Sequence, residues 1–271
     1  PGRPARRSSG GAAGVRGGRP WPRGVGERGF IPPSQRVRFI SNPTAPRRQA
    51  ARLLIARGHV EVGGHLTPDP RHEVDQFGPI SLDGELLQAR EAHFVMLHKP
   101  VGYLSATTDP QHPTVMELLP SPLREELHIG GRLDRGSSGL LILTNDGLWS
   151  RRLTEPRIKL PKTYRVTTLR PISAETTERF ANGIYMTTEQ LTTSPAQLQQ
   201  LGPCEARLTI YEGRYHQVKR MFHAVGNQVV ALHRESMGAI VLDPALQPGQ
   251  YRALTAAEIA SVDQPTSASR S

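Results

Sequence analysis

Apolar positions along the chain fall into blocks that predict its elements. Leu140 to Leu143 is a continuous apolar run. It is preceded by the polar, glycine-containing stretch Arg135 to Gly139 and closed by Asn145-Asp146-Gly147. With the apolar start His128-Ile129, residues 128–147 read as strand, loop, buried strand and turn. Residues 94–97 form another apolar strand. Residues 162–166 alternate, placing Lys162, Tyr164 and Val166 on one side. Residues 206–211 read as a strand and Glu212-Gly213-Arg214 as a turn. Helices are expected at 113–119, 147–154 and 173–181, the last with Ser173 as cap and Asn182-Gly183 as stop. A further helix is expected at 215–225. There Val218, Met221, Phe222 and Val225 share a face and Gly226 ends the run.

The N-terminal third has a different texture. Residues 47–57 predict a helix with Ala50, Leu53 and Leu54 on its apolar side and Gly58 as stop. Arg48 and Arg52 lie one turn apart and share a face. A strand at 59–62 and a Gly63-Gly64 turn follow. Residues 83–92 are largely polar and read as a linker. Residues 1–34 are rich in Gly, Pro and Arg, lack apolar periodicity and are expected to be disordered. The resulting plan is a basic tail at 1–34, a small module at 35–86, a main domain at 92–263 and a polar tail at 264–271.

Charge narrows the class of partner. The 271 residues carry 34 Lys plus Arg against 24 Asp plus Glu, a net charge of +10. The tail holds seven arginines and one acid, Glu27, so +6 of that excess lies there. The balance points to a polyanion, nucleic acid before an acidic membrane. The tail serves equally as a non-specific RNA tether or as an extension with no role. It lacks the hydrophobic segment of a secretory signal, and no apolar run is long enough to span a bilayer. One cysteine, Cys204, allows neither an internal disulfide nor a thiolate metal cluster and suits a reducing compartment. There is no Walker phosphate loop and no dinucleotide glycine fingerprint. His216 and His223 are seven apart, poor spacing for one metal on a helix. Gly136-Ser137-Ser138-Gly139 is not a nucleophile elbow. No metal or cofactor is therefore expected.

Candidate chemistry centres on Asp134, which sits in a loop between Arg132 and Arg135. One acid beside two bases on a strand pair suits a nucleophile or general base. It suits a turn-forming aspartate in a local ion pair as well. The wording of the stretch bears on that choice. Gly131-Arg132-Leu133-Asp134 with Gly139-Leu140-Leu141-Ile142-Leu143-Thr144-Asn145-Asp146-Gly147 resembles the catalytic motif of the pseudouridine synthases, in the branch that modifies small-subunit ribosomal RNA. The resemblance covers about residues 47–263. It implies that Asp134 is the nucleophile and that Tyr164 lies against the target uracil. Lys99-Pro100-Val101-Gly102 matches the family's first motif, and Pro100 and Gly102 suit a tight bend that braces the active-site loop. Glu212-Gly213-Arg214-Tyr215-His216-Gln217-Val218-Lys219-Arg220-Met221 resembles the final motif, whose basic residue pairs with the aspartate; by position it is Lys219.

The same resemblance implies an α+β fold with a mixed, mainly antiparallel central sheet and flanking helices. Residues 51–64 resemble the RNA-binding fold of ribosomal protein S4, so residues 35–86 are expected to form an S4-like module. Expected RNA contacts are Arg47, Arg48, Arg52 and Arg57 from that module, and Arg135, Arg214, His216, Gln217 and Arg220 from the main domain. Arg132 is expected at a phosphate or in the space that the base leaves. The implied reaction uses no cofactor, metal or energy source. The implied partner is 16S ribosomal RNA, free or in a partly assembled small subunit, acted on by a cytoplasmic bacterial monomer with no membrane contact. Leu232-His233-Arg234-Glu235 and residues 248–255 most resemble members acting on uridine 516. The alternatives are a large-subunit target and a non-catalytic RNA-binding assembly factor on the same fold.

Overall fold

The structure is a computed structural model. It describes residues 30–31, 53–66, 74–75, 77–88, 91–155, 158–187 and 189–262. Arg47, Arg48, Arg52, most of the basic tail and the tail at 264–271 lie outside these residues.

The N-terminal elements are short. Strand β1 (Phe30–Ile31) is followed by a helical turn at residues 53–56, β2 (Val60–Val62), β3 (His65–Leu66), β4 (Val74–Asp75), β5 (Ile80–Leu82) and β6 (Glu85–Gln88). β1 pairs antiparallel with β4, and the other four form a sheet in the order β3-β2-β5-β6. Ile55, Val60 and Ile80 make its small core. The helical turn therefore buries Ile55, while Leu53, expected on the apolar side, is exposed. The predicted linker at 83–92 is corrected as well. Asp83 and Gly84 both have positive φ, 52° and 84°. That is the two-residue hairpin turn whose twist matches the flanking strands, and it returns the chain as β6 against β5.

The main domain is built on a nine-stranded sheet. Its remaining elements are β7 (Phe94–Lys99), a short 3₁₀ helix (Val115–Leu118), α1 (Ser121–Glu126), β8 (His128–Ile129), β9 (Ser138–Thr144), α2 (Gly147–Thr154), β10 (Lys162–Thr168), α3 (Ala174–Asn182), β11 (Tyr185–Met186), β12 (Leu191–Thr192), β13 (Gln197–Gly202), β14 (Glu205–Ile210), α4 (Gln217–Ala224), β15 (Val229–Met237), β16 (Ile240–Val241), β17 (Tyr251–Ala253) and α5 (Ala256–Ser261). The sheet runs β13-β14-β10-β15-β9-β7-β17, with β8 on β9 and β16 on β15. Among the described residues its only parallel pairing is β15 with β9, and β11 with β12 forms a separate pair. The fold is thus mixed α+β, with a mainly antiparallel sheet and few helices.

Both faces of the β7–β9 pair are covered, which explains why these strands are continuously apolar rather than alternating. Met96, Leu140 and Ile142 pack with Trp149 and Leu153 of α2. Val95, Leu97, Leu141 and Leu143 pack with Val115, Met116 and Leu119. Full burial of each leucine contributes about 1.5–3 kcal/mol. Asp146 caps α2 by accepting from the backbone of Leu148 and Trp149, and Ser173 caps α3 through Thr176. On the other half of the sheet, Phe180 of α3 and Val218, Met221 and Phe222 of α4 pack with Tyr164, Val166 and Leu208.

The edges of β9 position the site. One edge is covered by β7 from Gly139 to Thr144. The other is shared: β15 pairs with Ser138 and Gly139, and β8 with Leu143 and Thr144. The loop at residues 130–137 leaves β8 and re-enters at the β15 end. It therefore arises where the two halves of the sheet meet.

Candidate active site

The loop carrying Asp134 is held from several sides. Gly130 N donates to Ile142 O at 2.8 Å, and Ser137 N to Asp134 O at 3.0 Å. The buried Ser105 hydroxyl donates to Leu133 O at 2.7 Å and accepts from Leu133 N at 3.0 Å. Leu133 itself is buried in the core beneath β10. Gly102 N donates to Arg135 O at 2.8 Å, and Arg135 Nε returns a bond to Gly102 O at 3.2 Å.

Two buried cations complete the brace. Lys99 Nζ donates to Ser137 O at 2.7 Å and to Pro100 O at 3.0 Å. Arg234, on β15, donates from Nε to Leu140 O at 2.8 Å and from Nη1 to Arg132 O at 3.2 Å. Its Nη2 reaches Gly131 O at 3.5 Å. Loop carbonyls that would otherwise be stranded away from water are thereby satisfied. Burial pushes Lys99 down to about 8; the Asp134 carboxylate opposes that shift, while Arg234 and Lys219 add to it. Burial, with Arg234 nearby, also lowers Lys162 to about 8.

So braced, Asp134 meets α4. One carboxylate oxygen lies 3.1 Å from Lys219 Nζ, the other 3.3 Å from His216 Nε2. Both partners come from the start of α4: Lys219 lies in its first turn and His216 directly before it. Its side chain remains 27% exposed, so a ligand can reach it. Tyr164, on β10, is 7% exposed and shares a core with Leu133 and Val218, the sequence neighbours of Asp134 and of Lys219. It stands opposite Arg234 in the β10–β15 register. Tyr164 is thereby tied through one cross-strand pair to the arginine that holds the loop.

The other expected contact residues divide. Arg132, Arg135 and Arg214 are exposed, and Arg214 Nε lies 3.3 Å from Glu212 Oε2. Arg57 is exposed at the end of the helical turn. His216, expected at RNA, faces Asp134. Gln217 is buried: its amide donates to Glu212 Oε1 at 2.7 Å and its carbonyl accepts from Arg214 N at 2.9 Å. It shapes the turn. Arg220 is held by both oxygens of Glu189, so its charge is already matched. Arg234 and Ser105 were not expected at the site. Neither carried a signal in the sequence: Arg234 lies among the polar residues His233, Glu235 and Ser236 of β15, and Ser105 lies in a loop.

A carboxylate held by an ammonium and an imidazole, and reachable from solvent, can act as nucleophile or general base. Comparison with known proteins bears on which reaction it serves. Residues 93–224 match the RNA pseudouridylate synthase family. The ribosomal small subunit pseudouridine synthase A of Pseudomonas aeruginosa is 54% identical over 226 residues, covering 83% of this chain and 98% of that protein. Its counterpart from Escherichia coli is 45% identical over 226 residues, with the same coverage. A crystal structure of a pseudouridylate synthase superposes with a TM-score of 0.63 at 39% identity, over 83% of this chain and 98% of that one. The chain belongs to the RNA pseudouridylate synthases, enzymes that isomerise uridine in RNA.

Proposed function

We propose that this enzyme converts a uridine of small-subunit ribosomal RNA to pseudouridine, that uridine 516 of 16S RNA is the target, and that Asp134 is the nucleophile. The observation that carries the reading is the Asp134 carboxylate held between Lys219 and His216 at 3.1 and 3.3 Å while open to solvent. The names of the relatives supply the small-subunit target.

The target nucleotide is drawn out of its RNA stem-loop into the pocket. The C1′–N1 bond breaks and a C1′–C5 bond forms. One proton leaves C5 and one is taken up at N1, so the reaction balances without a cofactor. Asp134 acts by attack at uracil C6 or ribose C1′, or by removing the 2′ proton. Each route needs an ionised carboxylate at a fixed angle, which Lys219, His216 and the braced loop supply. Tyr164 holds the freed base as it turns. Arg132, Arg135 and Arg214 contact phosphates around the cleft. Residues 35–86, with Arg47, Arg48, Arg52 and Arg57, act as an S4-like module that grips RNA further from the target.

The test is carbodiimide mapping of pseudouridine in 16S RNA incubated with wild type or Asp134→Asn. Wild type places one modification at position 516, and Asp134→Asn slows turnover at least about a thousand-fold. Near-normal turnover by the variant removes Asp134 from the mechanism. Modification elsewhere removes the target.

A further inference from the structure

Tyr215 is 77% exposed, more than any other large apolar side chain among the described residues. A lone exposed tyrosine is ordinary, but this one is not loose. Its ring lies flat on the His216 ring, with centroids 3.9 Å apart and planes 17° from parallel. His216 in turn touches the Asp134 carboxylate. A continuous stack therefore leads from the reacting group to solvent.

The corner that presents the stack is held in a costly shape. His216 has φ 49°, the left-handed region that a residue with a side chain avoids. Buried Gln217 fixes the turn before it through Arg214 N and Glu212. Arg220 Nη1 donates to the Tyr215 carbonyl at 3.4 Å. The strain has a purpose if the two rings must stand at the mouth of the site. Arg214, directly before Tyr215, and Arg132, two residues before Asp134, are both exposed and add positive charge to these two segments.

We propose that Tyr215, backed by His216, is a stacking platform for a nucleobase next to the target uridine in the RNA; this rests on the reading given under Proposed function. Drawing the target out of its loop leaves its neighbour without a stacking partner. An open aromatic face beside phosphate-binding arginines replaces that partner, whatever the base. His216 covers the other face of Tyr215, so the platform and the poise of Asp134 share one residue.

The experiment uses the full chain and a 16S hairpin carrying uridine 516, tritiated at C5 to follow turnover. A second hairpin carries 2-aminopurine in place of either neighbour of the target. Tyr215→Ala is expected to raise KM roughly 5- to 100-fold, with kcat little changed, and to abolish quenching of 2-aminopurine at one neighbour. Tyr215→Phe and Tyr215→Trp should restore both. An unchanged KM for Tyr215→Ala, or a loss confined to kcat, overturns the platform; the second result would mean that the ring only props His216. If wild type releases no tritium from the hairpin or from whole 16S RNA, the function itself fails and the platform falls with it.

Discussion

At the scale of single residues, the site separates poising from gripping. Asp134 has one oxygen on Lys219 and the other on His216, so the carboxylate cannot rotate without giving up a partner. Lysine offers a point charge rather than a fork, and His216 supplies the second point that an arginine fork would have provided alone. Tyr164 is nearly buried, so the ring proposed to hold the base is also part of the core. Tyr164→Phe should keep the stack and most of the turnover. Tyr164→Ala should lower kcat and also cost about 3–5 kcal/mol of stability through the cavity left behind, read by denaturant unfolding. Equal activity losses in the two variants would assign the role to the hydroxyl. Lys99 adds a pH signature. Its folded value of about 8 lies below the ordinary 10.5. Between these values the unfolded chain holds a proton that the folded one does not, so this residue makes stability rise with pH. Below about 8 both states are protonated, and the cost of burying the charge is fully present. Unfolding midpoints from pH 7 to 10.5 should show wild type gaining on Lys99→Met as pH rises; a constant difference would contradict the shift.

At the scale of elements, the meeting of β9 and β15 is the critical joint. Gly139 has φ 110°, and a Cβ there would stand 2.3 Å from Arg234 O and 2.5 Å from Arg234 N. Those atoms are backbone, so nothing can swing aside. Gly139→Ala should cost about 3 kcal/mol or more and displace Arg234 from the loop carbonyls. Thermal unfolding would register the first effect and a fall in kcat among the surviving folded molecules the second. A variant as stable as wild type would show that the two strands can part. Most elements of the main domain were legible in the sequence: the apolar runs of β7 and β9, the alternation of β10, the span of α2, the cap and stop of α3, and the apolar face and stop of α4. The 113–119 helix emerges as a 3₁₀ helix, with a separate α1 after it. The Asp83-Gly84 hairpin was in plain sight and was overridden by the polar composition around it. Composition is an average, whereas a turn depends on two residues at one place.

For the whole molecule, charge and site lie in different parts of the chain. Removing residues 1–34 takes away +6 of the net +10 and leaves Lys219 and His216 in place beside Asp134. The truncated protein should bind 16S RNA more weakly. The dependence of log Kd on log salt should flatten too, by up to about 0.7 for each phosphate that the tail neutralises. Its kcat at saturating RNA should be unchanged. Titrations at several salt concentrations read the slope, and an unaltered slope would leave the tail without a role in binding. The main sheet explains the reach of the design: residues from β7, the loop after it, β9, β10, α4 and β15 converge on one loop from far apart in sequence. Such convergence requires the non-local pairings of a mixed sheet, which no local pattern encodes.

The sequence by itself determined the kinds of element, the motif around Asp134, the basic partner at Lys219 and the excess positive charge, because each is written in neighbouring residues or in simple sums. Only the tertiary structure decided which polar side chains are spent on partners within the fold. Arg220 goes to Glu189, Gln217 turns inward, His216 joins the carboxylate, and Arg234 and Lys99 are buried under the loop. A side chain's partner depends on what a distant strand or turn brings within hydrogen-bond reach, and that distance exists only once the chain has folded.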